Sequence, residues 1–313
     1  MIRLLEDAPG WVFPARDNVY NARIATQFAA YRGRPDGPLL YEAQGGALLS
    51  LFDGVVTLDG LRFDPEELRE FLQRCGCRTL VCSGRAAGAL GLDAQAGPRY
   101  TVMRFDGPPP DEPAPPGVCR APRLEEVYSL LLAVFDNMRG TAFEPWYCDL
   151  ALKIRRGLAE VWMIAGDLGG GRAEAPSTTP APLCGGHTPE SGLNLSGNPP
   201  VVGRAEAPST TPAPLCGGHP PESGLDLPGN PPAVGRATAG IYYQNARTAV
   251  IGSVATRPDC RGRGYAGALV TGLTARVARA GKAPRIVCQN DNARRLYERL
   301  GYRAEAEYRE INF

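Results

Sequence analysis

Common acid–base chemistry is scarce in this sequence. Only two histidines occur in 313 residues, and both sit in one repeated stretch, as Cys184-x-x-His187 and Cys216-x-x-His219. If that stretch is inert, histidine is no catalytic base here. No run of about 18 apolar residues exists, so no membrane-spanning helix is expected. Neither charge dominates: 34 Lys and Arg against 33 Asp and Glu leave a net charge of +1. That balance argues against a nucleic-acid or membrane partner. The opening MIRLLEDAPG is acidic and contains a proline. It lacks the apolar core of a signal peptide, and a cytoplasmic location is expected. The nine cysteines are odd in number and have no framework spacing, so they are expected to be thiols. Cys75-Gly76-Cys77 with Cys82 has no clear fourth ligand, which favours buried thiols over a metal site. No metal is expected anywhere.

What is present reads as two successive α/β regions. Residues 17–32 suit a helix, with Val19, Ile24 and Phe28 apolar. Strands follow at about 38–43, 47–52 and 54–58, with Gly45-Gly46 and Asp53-Gly54 as turn signals. Asp64-Pro65-Glu66-Glu67 opens a helix: Asp64 caps it, Pro65 takes the first helical position and Glu67 completes a capping box. A strand at 78–82, a short helix at 83–90 and a strand at 99–105 end the first region. Residues 106–117, DGPPPDEPAPPG, are proline-dense enough for a semi-rigid linker. Beyond it, helices are predicted from Leu124 toward Gly140 and from Pro145 to about Arg156. Strands follow at 158–164, 237–244 and 248–256, then a strand–helix pair at 285–300 and a last strand in EYREINF.

Between the strands at 158–165 and 237–244 lies a duplication. Residues 171–202 and 203–234 are nearly the same 32-residue sequence, crowded with Pro, Gly, Ser and Thr and lacking helical or strand periodicity. Such a segment cannot bury enough surface to offset its ordering entropy. It is expected to be a disordered two-copy insertion, and its Cys and His pairs follow from copying rather than from a Zn²⁺ site.

The chain is organised around residues 250–281. Val250, Ile251, Val254 and Thr256 are strand formers, and Pro258 stops the strand. Arg261, Gly262, Arg263, Gly264, Tyr265 and Ala266 follow. Then Ala266, Leu269, Val270, Leu273 and Val277 recur at helical spacing up to Gly281. A glycine-rich turn at a helix N-terminus offers free N–H groups to an anion, and the two arginines add charge. Taken alone, the Arg-Gly pair could also be a solvated turn or a nucleic-acid patch.

Its context carries a resemblance. Arg261-x-x-Gly264-x-Ala266 resembles the acetyl-CoA loop of the GNAT-type N-acetyltransferase superfamily, Gln/Arg-x-x-Gly-x-Gly/Ala. Val254-x-Thr256-x-Pro258 is a typical lead-in. QNDNARRLYERLGYR resembles the second signature, Asn-x-x-Ala-x-x-x-Tyr-x-x-x-Gly-Phe/Tyr, read with Asn292 directly before Ala293 and with Tyr297 and Gly301-Tyr302 completing it. The resemblance covers roughly 118–170 and 236–313.

The first region has the same order, helix, three strands, helix, strand, helix, strand, so the expected α/β fold is two GNAT-like mixed-sheet domains in tandem, with an unrelated first α/β domain as the alternative. The two are an N-terminal domain, 1–105, without a CoA loop, and a catalytic domain, 118–313, interrupted by the insertion at 171–234. The resemblance implies transfer of an acetyl group from acetyl-CoA to a primary amine of a small molecule or peptide by direct attack on the thioester. Cofactor contacts are expected at Val254, Ala255, Thr256, Arg261, Gly262, Arg263, Gly264, Tyr265, Ala266 and Asn292, and the proton donor to the thiolate at Tyr297. Residues 261–266 would hold the pyrophosphate. The strand backbone at Val254 and Thr256 would align the pantetheine arm and polarise the carbonyl. Glu160 and Glu144 are candidates for the base, as is a water chain. A non-catalytic acyl-CoA-binding module, in which Tyr297 is only structural, is the competing reading.

Overall fold

Residues 1–5, 13–92, 97, 99–111, 117–165 and 235–313 are described by the structure, a computed structural model. All of them belong to one unit. The first half opens with β1 (Arg3–Leu4) and α1 (Val19–Tyr31). Asn18 caps α1, its side-chain oxygen accepting the Asn21 N–H at 2.8 Å. The strands β2 (Leu39–Glu42), β3 (Leu48–Phe52) and β4 (Val55–Asp59) form an antiparallel meander. Asp53 and Gly54 join β3 to β4 with φ of 47° and 69°, the left-handed pair that a two-residue hairpin turn requires. Then come α2 (Pro65–Arg74), β5 (Thr79–Ser83) parallel to β4, α3 (Gly84–Ala89) and β6 (Arg99–Phe105).

Asp64 caps α2 as expected, accepting the N–H groups of Glu66 and Glu67 at 2.9 and 3.1 Å. Glu67 does not close the capping box. Its carboxylate instead takes the Ile2 N–H and the Met1 ammonium, tying down the chain start.

The second half repeats the plan. It runs through β7 (Val118–Cys119), α4 (Leu124–Val134), a 3-10 turn (Asp136–Gly140) and α5 (Phe143–Arg155). The meander is β8 (Glu160–Ile164), β9 (Ala237–Gln244) and β10 (Thr248–Thr256). After it come α6 (Tyr265–Arg279), β11 (Ala283–Cys288) parallel to β10, α7 (Asp291–Arg299) and β12 (Tyr302–Asn312). The expected insertion at 171–234 lies outside the described residues. Its flanks are joined: the Arg236 N–H donates to the Ile164 carbonyl at 2.7 Å, and Ile164 faces Ala237 across the β8–β9 ladder.

The two halves share one sheet of twelve strands, in the order β1-β2-β3-β4-β5-β12-β6-β11-β10-β9-β8-β7. Each half gives its last strand to the other. β6 lies antiparallel between β11 and β12, and β12 lies between β5 and β6. The exchange reaches both cores. Met103 and Phe105 of β6 pack with Ile251, Leu273 and Ile286 of the second half. Ile311 of β12 packs with Leu58, Leu68 and Leu80 of the first. Full burial of each such side chain contributes about 1.5–3 kcal/mol, so neither half keeps its core if separated at 105. Among the described residues no helix is long and apolar enough to cross a membrane.

Candidate functional site

The site starts with a ladder that stops early. The parallel pairs between β10 and β11 run from Thr248–Ala283 to Ile251–Ile286 and end there, although β10 continues to Thr256 and β11 to Cys288. A bulge helps to part them. On β10, Ser253 and Val254 together oppose a single position of β9, between Gly252–Gly240 and Ala255–Thr238. Ser253 takes φ of 49°, in the left-handed region. A bulge of this kind bends the strand and re-aims its side chains. The β10 backbone beyond Ile251 is therefore unpaired on its β11 side.

Below this opening, Pro258–Cys260 form a 3-10 turn, and Gly264 is the N-cap of α6 with φ of 80° and no side-chain cap bond. Gly262, at φ of 77°, is also left-handed, and nothing lies within 4 Å of the place where a Cβ would project at either glycine. The glycines are thus required by backbone conformation, and the space in front of the helix end is open. A cleft of about 600 Å³ occupies it, bounded by Val254, Thr256, the turn from Arg261 to Gly267, and Ala293 and Leu296 of α7. Arg299 adds a third cation beside Arg261 and Arg263. Among the described residues the Arg261 side chain makes only a long bond, 3.4 Å, to the Thr256 carbonyl. Thr256 Oγ1 is buried without a hydrogen-bond partner. The unpaired strand, the helix end without a side-chain cap and the orphaned hydroxyl fit an extended ligand with an anionic end, as acetyl-CoA is.

Of the residues expected at the cofactor, Val254, Thr256, Arg261, Gly262, Arg263, Gly264, Tyr265, Ala266 and Asn292 all line this cleft. Ala255 does not: it is buried on the opposite side, against α4 and β8. Tyr265 is buried, and its hydroxyl accepts from Arg236 at 3.1 Å. Asn292 is exposed and is not the cap of α7. That cap is Asn290, whose Oδ1 accepts the Ala293 N–H at 2.8 Å and which also borders the cleft. Asn290 stands three residues before Ala293, the spacing that the second signature asks for, and counting back from Ala293 would have found it.

Tyr297 sits one layer behind the cleft wall. It is 4% exposed and packs beside Tyr302, with ring centroids 6.1 Å apart, while its neighbours Ala293 and Leu296 face the cleft. Burial, with smaller contributions from Cys288 and Tyr302, pushes its phenol above the ordinary value. The two candidate bases are not brought to the cleft. Glu160 accepts from Trp162 and Arg276, at the far end of β8 from Ile164, and Glu144 is exposed in the first turn of α5.

A second cleft, about 370 Å³, opens on the other face of the sheet, where α1 packs. On β10 it is lined by Val250 to Ser253, the stretch just before the Val254 and Thr256 that line the first. Its walls come from both halves: Arg23 of α1, Tyr100 of β6, Tyr242 and Tyr243 of β9, and Tyr308 and Glu310 of β12. The exchange of last strands is what brings Tyr100, Tyr308 and Glu310 there.

Residues 232–311 match the family described as FR47-like protein. A search of curated proteins finds no match. Several solved structures are similar. A putative GNAT-family acetyltransferase from Novosphingobium aromaticivorans shares 18% identity at a TM-score of 0.39, over 68% of this chain and 63% of that one. A GCN5-related N-acetyltransferase from Kribbella flavida shares 14% at 0.48, over 93% and 95%. A tandem GNAT protein from the clavulanic acid biosynthesis pathway shares 14% at 0.47, over 95% and 88%. The segment from 232 to 311, which matches the FR47-like family, holds the parted strands and the glycine turn.

Proposed function

We propose that the chain is an acetyl-CoA-dependent N-acetyltransferase acting on a primary amine. One observation carries the reading: two clefts on opposite faces of the sheet border successive stretches of β10, Val250–Ser253 and Val254–Thr256, where β10 leaves β11. Acetyl-CoA, when bound, supplies an activated acyl carbon on a good leaving group. The α6 turn would hold its pyrophosphate through backbone N–H groups and the cations of Arg261, Arg263 and Arg299. The unpaired backbone of β10 would align the pantetheine arm, and an N–H there would polarise the carbonyl. The amine nitrogen enters from the α1 face and attacks the carbonyl carbon, and the C–S bond breaks. One proton of the ammonium goes to a base or water, a second follows once the C–N bond has formed, and the thiolate takes up one.

Tyr297 is proposed as that donor from beneath the cleft wall. Its burial equally favours the second reading, a non-catalytic acyl-CoA-binding module in which the ring is core. In the first half the helix after the third strand is closed to an anion. The Asp64 carboxylate already takes the first amides of α2 and would repel a phosphate. We therefore assign the first 105 residues the role of a GNAT-like domain without a CoA site, joined through 106–117 to the catalytic domain. Thiol release from acetyl-CoA in the presence of amines tests the proposal. Release above the rate in buffer supports transfer, and acetyl-CoA binding without release from any amine supports the second reading.

A further inference from the structure

The α1-face cleft contains a cation that the protein itself leaves almost unused. Arg23 donates once, from Nη1 to the Tyr308 hydroxyl, at 3.4 Å. Its Nε is buried with no hydrogen-bond partner, and no carboxylate among the described residues forms a salt bridge with it. Its other contact is with the ring of Tyr243, 5.3 Å from the centroid. The contrast with Lys153 is direct. Lys153 lies 5.2 Å from the same ring but is ion-paired to Asp149 at 2.6 Å. A guanidinium has five donors, and the charge of Glu310 acts on this one without an ion pair, so most of its donors stay open to an anion. Such a site is stabilised by an incoming anion.

The same cleft holds one carboxylate. Glu310 accepts from the Tyr308 hydroxyl at 3.2 Å and from the Tyr100 hydroxyl at 3.4 Å. Both bonds are long, and two oxygens offer about four lone-pair positions, so capacity for an ammonium remains. The cleft thus presents one positive and one negative group, linked through Tyr308. A phosphate dianion would meet Glu310, and a simple amine would leave Arg23 unpaired. A zwitterion satisfies both. The rest of the wall is aromatic or aliphatic, with Val19, Val250 and Val287 among the tyrosines, which suits an apolar side chain.

Resting on the acetyltransferase reading, we propose that the acceptor is a free neutral α-amino acid, its carboxylate held by Arg23 and its amino group held between Glu310 and the β10 floor at Gly252–Ser253. The N-terminus of a peptide lacks the adjacent carboxylate and is disfavoured.

The test compares L-leucine with 3-methylbutylamine and L-leucinamide, and L-phenylalanine with 2-phenylethylamine. Thiol release is measured for the wild-type chain, Arg23→Met and Arg23→Lys, alongside calorimetric binding of each acceptor. In the wild type each amino acid should exceed its carboxylate-free partners by at least about 10²-fold in kcat/KM. In Arg23→Met the gap should close, mainly through a raised KM, with acetyl-CoA affinity unchanged. Arg23→Lys should keep part of it. Equal or reversed preference in the wild type overturns the proposal without any variant, and so does a gap that survives Arg23→Met. If no amine releases thiol, the acetyltransferase reading has failed by itself. The binding data then decide the acceptor class: L-leucine bound by the wild type but not by Arg23→Met supports it, and L-leucine bound no better than 3-methylbutylamine contradicts it.

Discussion

The Arg285 guanidinium of β11 meets the Asp17 carboxylate at 2.5 Å, while Glu305 of β12 grips its other edge at 2.7 and 2.8 Å. Arg285 is fully buried. Asp17 lies just before α1 and also accepts from Thr248 Oγ1 at 2.7 Å and from Arg104 at 3.1 Å. This cluster fixes the start of α1, and with it Arg23, over the parallel seam. Burial alone would raise the Asp17 pKa. The bonds from Arg285 and Thr248, with the charges of Arg285 and Arg104, outweigh it and hold the group below its ordinary 3.8.

A depressed folded-state pKa contributes stability that is fully present above the unfolded value and is lost as pH falls through the folded one. Asp17 is about a third exposed, so Asp17→Asn should cost only about 1–2 kcal/mol at neutral pH. Urea unfolding should show that difference undiminished down to about pH 5 and shrinking below pH 4. A difference independent of pH would mean that the asparagine acts through packing.

Removing residues 171–234 should leave a folded protein that binds acetyl-CoA as the full chain does. The flanking strands are already paired at Ile164 and Ala237. Shortening the connection from about 65 residues to about 4 lowers closure entropy by about 2.5 kcal/mol, in the stabilising direction. Thermal unfolding and calorimetry check both halves of this expectation. An insoluble product, or a fold that depends on a metal carried by the repeats, contradicts it.

Much of this architecture is legible in residue patterns because it is local. Asp64-Pro65 announces α2, and the strand expected at 99–105 has those bounds. Its partners are another matter. Nothing in RYTVMRF distinguishes pairing with β5, nearby in sequence, from insertion between β11 and β12, about two hundred residues on. The glycine turn at 261–266 is local and was readable. The α1-face cleft joins Arg23 to Tyr308, 285 positions apart, and no periodicity records that. Glu160 suggested a base because it is a carboxylate at a strand start, but a salt bridge to Arg276 across the fold occupies it.

Tyr297→Phe separates donor from core residue. Phenylalanine keeps the ring beside Tyr302 and removes only the proton. If Tyr297 protonates the thiolate, turnover should fall by about 10²-fold or more while acetyl-CoA affinity holds. Loss of affinity with turnover intact would assign the hydroxyl to binding. No change in either would leave the ring as packing and give the proton to water.

The most direct measurement is calorimetric titration of acetyl-CoA into the wild-type chain, Arg261→Ala and Gly264→Asp. One acetyl-CoA should bind per chain: of the two helices that follow the third strand of a meander, α6 has no side-chain cap, whereas the Asp64 carboxylate fills the N-terminus of α2. Arg261→Ala should weaken binding moderately by removing one cation. Gly264→Asp should weaken it far more, since it forces a side chain into φ of 80° and sets a negative charge at the anion site. Unchanged affinity in Gly264→Asp, or two molecules bound per chain, would contradict the assignment of the α6 turn as the acetyl-CoA site.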